Sequence, residues 1–338
     1  MDRVYDILSL DGRALEKFED FQNDPTAVLI AVKEHAGAFV YASDELKHDE
    51  RFVIQAIAKN PHVLFYAKAF QGNRDVVMFA VKKDGDVLRA ASDEMQHDRT
   101  VVMTAVRNSK HGHALWCSAF RDDREVVMAS VASCGVSLEW ASHPLRDDKV
   151  VVMTAVRKDG KALQWASDEL RDDKDVVMAA VTNYGDALQW TYKRLKSDRE
   201  VAMAAVMNHG PAFRWTAHVL KQDRDLALTA IKHKCPLREV ASDLQEDPEL
   251  LAFARVNETL DPVQERIAVD FLREMKRQYD SFKRTLKATP RLNATGYYHG
   301  KKIKEIMKHF AGIDVDKDLV ALLKRGGRRT NRTSRVYR

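Results

Sequence analysis

The sequence predicts an all-α protein: an α-solenoid, a superhelix of about nine to ten 25-residue two-helix repeats, closed by a helical C-terminal cap and a basic tail. Three observations carry this. Segments return at a fixed period: Val151-Val152-Met153 comes back as Val176-Val177-Met178, Gly160 as Gly185 and Trp165 as Trp190, each 25 residues later. Within each return, apolar residues follow an Asp at helical spacing. Beyond residue 258 the period stops and one long stretch with a three-and-four apolar spacing replaces it. A repeat this short marks a stack, because one unit cannot bury its own apolar face.

The units open at Asp24, Asp49, Asn73, Asp98, Asp123, Asp148, Asp173, Asp198 and Asp223, and Asp247 opens a degenerate tenth. "DGRALEKFEDFQN" before Asp24 reads as the second half of an earlier unit. Each opening residue is an N-cap, its side-chain oxygen accepting bonds from first-turn amides. Pro25 and Pro248 follow such caps, at the helical position that tolerates proline. In the unit at Asp148, Val151, Val152, Ala155 and Val156 form one buried stripe. Gly160 is expected to end that helix in a left-handed turn. Ala162, Leu163 and Ala166 then mark a second helix. Each helix is about ten residues and roughly 15 Å long, too short to stand without packing. Pro144, in "WASHPLRDD", puts a break near Ser142 and makes "SHPL" a capped turn that tucks Leu145 inward.

Three columns run along such a stack. Trp116, Trp140, Trp165, Trp190 and Trp215 continue from Tyr41 and Tyr66, and the same column holds Ala90 and ends at Val240. Because it grades into an aliphatic residue, the column is expected to be core rather than a stacking ladder for bases or sugars. Truncating Trp165 to alanine would then cost about 3–5 kcal/mol. Arg121, Arg146, Arg171, Lys196 and Lys221 precede the Asp caps, and Arg124, Lys149, Lys174, Arg199 and Arg224 follow them. They are expected to exchange ion pairs with neighbouring repeats. The third column is the turn within each unit, which varies freely and holds His35, Lys83, His111, His113, Tyr184, His209 and His233. Loops on one edge of a solenoid are the usual contact surface, so these are the candidate partner-binding residues. The histidines do not share one offset, which argues against a metal-binding row.

"DPVQERIAVDFLREMKRQYDSFKRTLKATP" opens a long helix at Pro262 that ends before Pro290. Ala268, Leu272, Met275, Tyr279, Phe282 and Leu286 form a seam suited to capping the last repeat or to pairing with a second helix. Two short helices are expected near 301–310 and 316–325. Asp314, Asp316 and Asp318 imitate a calcium loop, but Leu319 and Arg325 stand where its Gly and Glu belong. The domain plan is thus a repeat array over 1–258, a helical cap region over 259–325, and a basic tail over 326–338 that orders on binding.

Charge divides the chain in the same place. Residues 1–246 carry 34 basic and 38 acidic side chains, a balance of −4, and residues 247–338 carry 21 and 12, a balance of +9. Arg325, Arg328, Arg329, Arg332, Arg335 and Arg338 crowd an end with no acid, a candidate anchor for an anionic surface. No apolar run spans a bilayer. The N-terminus lacks a secretory pattern, and three scattered cysteines outline neither disulfides nor zinc. The expected location is cytoplasmic or nuclear. No phosphate-loop, dinucleotide, zinc-protease or serine-hydrolase motif occurs, and no cofactor is implied.

The recurring pattern D-(K/R)-x-V-V-M-x-A-V-x-x-x-G-x-A-L-x-W-A-S-x-x-L-R-D resembles the repeats of domain of unknown function 4116 over about residues 12–258. The resemblance implies helical repeats and no catalytic motif. The unit at Asp98 departs from it, with two extra residues before Gly112 and two fewer after Leu115. Two function classes follow from the whole reading. One is a non-catalytic scaffold for protein–protein interaction within a larger assembly. The other is a nucleic-acid binder gripping phosphates through its basic end. The −4 balance of the repeats favours the scaffold, since a phosphate-tracking array should be basic throughout.

Overall fold

The computed structural model describes residues 2–288, apart from 258, 259 and 261. The chain divides into two compact units, Met1–Asn208 and His209–Arg338. The described residues of both are helical and contain no strand.

In the first unit, ten-residue helices recur at the sequence period: Pro25–Glu34, Glu50–Lys59, Arg74–Lys83, Arg99–Asn108, Arg124–Ser133, Lys149–Lys158, Lys174–Asn183 and Arg199–Asn208. Each packs beside the next, and the N-terminal helix Asp2–Leu10 covers the first of them. Val151, Val152, Ala155 and Val156 are fully buried, as are Ala162 and Leu163. The apolar stripe is therefore a continuous core, shared between repeats rather than enclosed within one.

The second half of each repeat is not the single ten-residue helix that the spacing suggests. In most repeats it is a six-residue 3-10 turn, such as Gly160–Trp165, followed by a four- or five-residue α-helix, such as Asp168–Arg171; the repeat at Asp49 has two 3-10 turns, Pro61–Phe65 and Lys68–Phe70, and the repeat at Asp98 the short α-helix His113–Trp116. Ala166, between Trp165 and Asp168, is extended, with ψ 158°. The reason is a backbone bond between repeats. The Ser167 N–H donates to the Arg146 carbonyl of the preceding repeat at 2.9 Å, and Ser43, Ser92 and Ser142 do the same to Gln22, Gln71 and Arg121 at 2.8 Å. An amide used across the stack cannot also continue its own helix. Pro144 fits this break, near the start of the short helix His143–Arg146 and beside the buried Leu145.

The glycine column also has a different cause from the expected left-handed cap. Gly160 follows Asp159, whose φ is −149°, and it opens the 3-10 turn. What the position requires is the absence of a side chain. A Cβ on Gly135 would lie 2.5 Å from the Ala155 carbonyl oxygen of the next repeat. Gly12, Gly85, Gly160 and Gly210 meet Ala31, Ala105, Ala180 and Ala230 in the same way. Each glycine lets a turn rest directly on the backbone of the following helix.

The Asp caps do two jobs with two oxygens. Asp148 Oδ1 accepts from the Val150 and Val151 amides at 2.8 and 3.2 Å, and Asp148 Oδ2 accepts from Arg124 Nε of the preceding repeat at 2.8 Å. The pattern recurs as Arg74–Asp98, Arg99–Asp123, Lys149–Asp173 and Lys174–Asp198. The expected exchange of ion pairs between repeats is thus a ladder along the helix N-termini, made by the basic residues that follow the caps; of those that precede them, Arg171 pairs within its own short helix with Asp168, and Lys196 bonds the Gln189 carbonyl of its own repeat. The basic partner in each rung holds Asp98, Asp123, Asp148 and Asp198 below the ordinary carboxylate range. One exposed rung contributes about 0–1 kcal/mol, but each is fixed to a helix cap and so specifies register.

The second unit begins with the 3-10 turn Gly210–Trp215 and continues through the helices Arg224–Lys232 and Pro248–Asn257. Arg224 bonds Asp247 at 2.7 Å and Glu249 at 2.9 Å, repeating the ladder. The long helix Pro262–Ala288 then packs along Pro248–Asn257. Ala268, Val269, Leu272 and Met275 are buried, opposite Leu250, Leu251 and Phe253. Arg255 pairs with Glu265 at 2.6 Å. The first half of the seam is a cap on the last helix of the repeats. The side chains of Tyr279, Phe282 and Leu286 lie outside the described residues.

Candidate interaction surface

The variable residues fall where each long helix hands over to its 3-10 turn. His35 and Tyr184 are the junction residues of their repeats, and Lys83 ends its helix. In the second unit His209 and His233 occupy the same kind of junction. The junctions are also stapled. Asn183 accepts from the Gly160 N–H at 2.8 Å and donates to the Arg157 carbonyl at 3.3 Å, and Asn208 accepts from Gly185 at 2.7 Å. These asparagines bind one repeat to the next, a role the sequence reading missed because their partners lie some 25 positions away.

The tryptophan column is only partly core: Trp140, Trp165, Trp190 and Trp215 are half-buried, Trp116 is 43% exposed, like Tyr66 at 40%, and Ala90 and Val240 are buried. The reason lies in the turn. Leu163 and Ala166, three apart, face inward on a three-residue period, whereas Trp165 lies two positions from Leu163 and falls off that face. Neighbouring rings touch: Trp116 and Trp140 have centroids 6.0 Å apart, and Tyr184 stacks on Trp190 at 6.2 Å. Lys161 lies over Tyr184, 5.3 Å from its ring centre. Aromatic and junction residues thus share one surface.

The irregular repeat at Asp98 keeps its place in the stack. Its helix packs on both neighbours, and Arg99 still reaches Asp123. The extra residues form a loop gripped by Asp86 of the preceding repeat. Asp86 is 5% exposed. Its carboxylate accepts from the Ser109 hydroxyl, from the Lys110, His111 and His113 amides at 3.3, 3.1 and 3.1 Å, and from His111 Nδ1 at 2.9 Å. Burial pushes its pKa up, but the bonds from Ser109 and His111 outweigh this and hold it below the usual range. His111 and His113 are brought together, with ring centroids 5.9 Å apart. The other junction residues remain distributed, one to a repeat.

Cys117, Cys134 and Cys235 are free thiols. Burial raises Cys117 to about 11 and also raises Cys134, so both are protonated near neutrality and poor nucleophiles. Among the described residues no helix is long and apolar enough to cross a membrane. The six arginines from Arg325 to Arg338, the expected helices near 301–310 and 316–325 and the calcium-like Asp314–Asp318 segment lie outside the described residues.

Comparison with known proteins agrees with the architecture. No curated protein and no solved structure matches the chain. One family model does, described as a domain of unknown function (DUF4116), over residues 24–69, 73–118, 123–171, 173–221 and 198–245. Each match takes in two helix-opening caps, such as Asp123 and Asp148, and the last two overlap by a single repeat, so the family's unit is a pair of the 25-residue units seen here. With most of the chain covered in that register, the protein belongs to the DUF4116 family of helical repeats.

Proposed function

We propose that the chain is a non-catalytic scaffold that binds protein partners along the surface shared by its aromatic rings and junction loops, with its basic end as an auxiliary anchor. The observation that carries this is the row of half-buried rings at Trp116, Trp140, Trp165 and Trp190. Tryptophan and tyrosine held half-open by a rigid framework supply contact area at little entropic cost, and such residues are enriched at protein interfaces. The junction residues beside them differ from repeat to repeat, which supports a surface read by a partner rather than one ligand bound many times.

The charge split favours a second reading, in which the basic end grips nucleic acid. Affinity purification of the tagged full chain, with and without nuclease, separates the two. Protein partners retained after nuclease support the scaffold; partners lost on nuclease treatment support nucleic-acid binding. Truncation after Lys324 is expected to leave the melting temperature nearly unchanged while weakening partner association, and added salt should weaken the intact chain's association in the same direction. Association indifferent to both truncation and salt would remove the anchor from the account.

A further inference from the structure

The geometry points to a divalent-metal site at Asp86, His111 and His113, of a kind suited to zinc. One oxygen of Asp86 and one ring nitrogen from each histidine all lie within 4.8 Å of one another. In tetrahedral zinc coordination, with bonds near 2.0–2.1 Å, neighbouring ligand atoms stand about 3.3 Å apart. Asp86 Oδ2 and His111 Nδ1, at 2.9 Å, are already near that separation. The remaining closure falls to the two imidazoles, the His111 side chain being 72% exposed and His113 half-buried. Two imidazoles and a carboxylate form a known zinc donor set, and three protein ligands leave a fourth position for water or a partner's side chain.

The repeat register supplies a second argument. This is the unit that departs from the 25-residue pattern, and its extra residues deliver His-Gly-His beside a buried carboxylate. Gly112 stands at φ +79°, the one left-handed glycine among the described residues. A side chain there would meet Ser137 at 2.7 Å. The turn at Gly112 sets His111 and His113 on either side of it, and their rings come together. Anchoring the loop already has donors enough in the Ser109 hydroxyl and three backbone amides. The imidazole of His113 adds nothing to that anchoring, yet it offers a ring nitrogen within 4.8 Å of the other two candidate ligand atoms. Asp86 is oriented by those same amides, as a ligating carboxylate is expected to be.

Metal binding displaces the proton that His111 Nδ1 shares with Asp86, so proton release should accompany it. The test is titration of the metal-free full chain with cobalt(II), followed by its visible absorption, together with melting curves with and without zinc. The expected result is one equivalent bound with Kd below about 10 µM, and a zinc-dependent rise in melting temperature. His113→Gln keeps the backbone N–H that holds Asp86, so the loop should stay folded. It should weaken binding by at least about tenfold and abolish the zinc-dependent rise. His111→Gln should do likewise, while His218→Gln, at an exposed position in the other unit, should leave both unchanged. A wild-type chain that binds no cobalt at that level, or one whose binding survives both His111→Gln and His113→Gln, overturns the site.

Discussion

Leu163→Ala should lower the unfolding free energy by about 2–5 kcal/mol, the range for a large aliphatic truncated in a packed core. Leu163 is fully buried, on a turn that packs against the turns before and after it and against the helices Lys149–Lys158 and Lys174–Asn183. The cavity would open between repeats, where several side chains must move to fill it. Trp165→Ala, two residues on, should cost less than Leu163→Ala despite removing more atoms, because part of its ring already faces water. Denaturant unfolding of the two variants in parallel checks the order. A larger loss at Trp165 would restore the tryptophans to the core.

Gly135→Ala is the second large effect. Most glycine-to-alanine changes at a negative φ are neutral or stabilising, because alanine restricts the unfolded chain. Here the new methyl meets the Ala155 carbonyl oxygen at 2.5 Å, the Asp159 amide nitrogen at 2.9 Å and the Asp159 Cβ at 3.0 Å. Two of those three are backbone and cannot swing aside. The turn must lift from the helix, and overpacking of this kind costs about 1–3 kcal/mol. An unchanged or raised melting temperature would show that the glycine serves the local backbone and not the approach of the next repeat.

These two residues also show what the sequence could and could not disclose. The stripe of Val151, Val152, Ala155 and Val156 was legible because helical spacing is a local signal that repetition reinforces. So were the Asp caps, and so was the cationic partner of each, because one residue type returned beside the cap in unit after unit. The second half of the repeat was misread for a physical reason. A 3-10 turn and an α-helix both bring residues three apart to one face, so Ala162, Leu163 and Ala166 fit either. Gly160 looks like a helix terminator because it follows a helix. Nothing in its neighbourhood announces that the Ala180 backbone will lie against it. The tryptophans followed the same logic, since adjacency to a buried leucine does not fix which way a side chain points. Asp86 and the His111–His113 pair are 25 residues apart, and the available hint was the broken register between them. A break in a repeat is where a stack keeps residues that packing does not require.

The central claim is that each 25-residue unit is held by its neighbours through contacts that any other unit could supply. Deleting residues 148–172 removes one whole period from the first unit. Arg124 would then meet Asp173 in place of Asp148, and Gly135 would rest on Ala180 in place of Ala155, so the ladder and the core should close up. The chain is expected to keep its helical circular dichroism per residue and to unfold cooperatively, with a modest drop in melting temperature. Deleting only residues 148–160 leaves the columns out of register and should abolish cooperative unfolding. If removing the whole period destroys the fold as completely as removing half of it, the units are not interchangeable and the solenoid account is wrong.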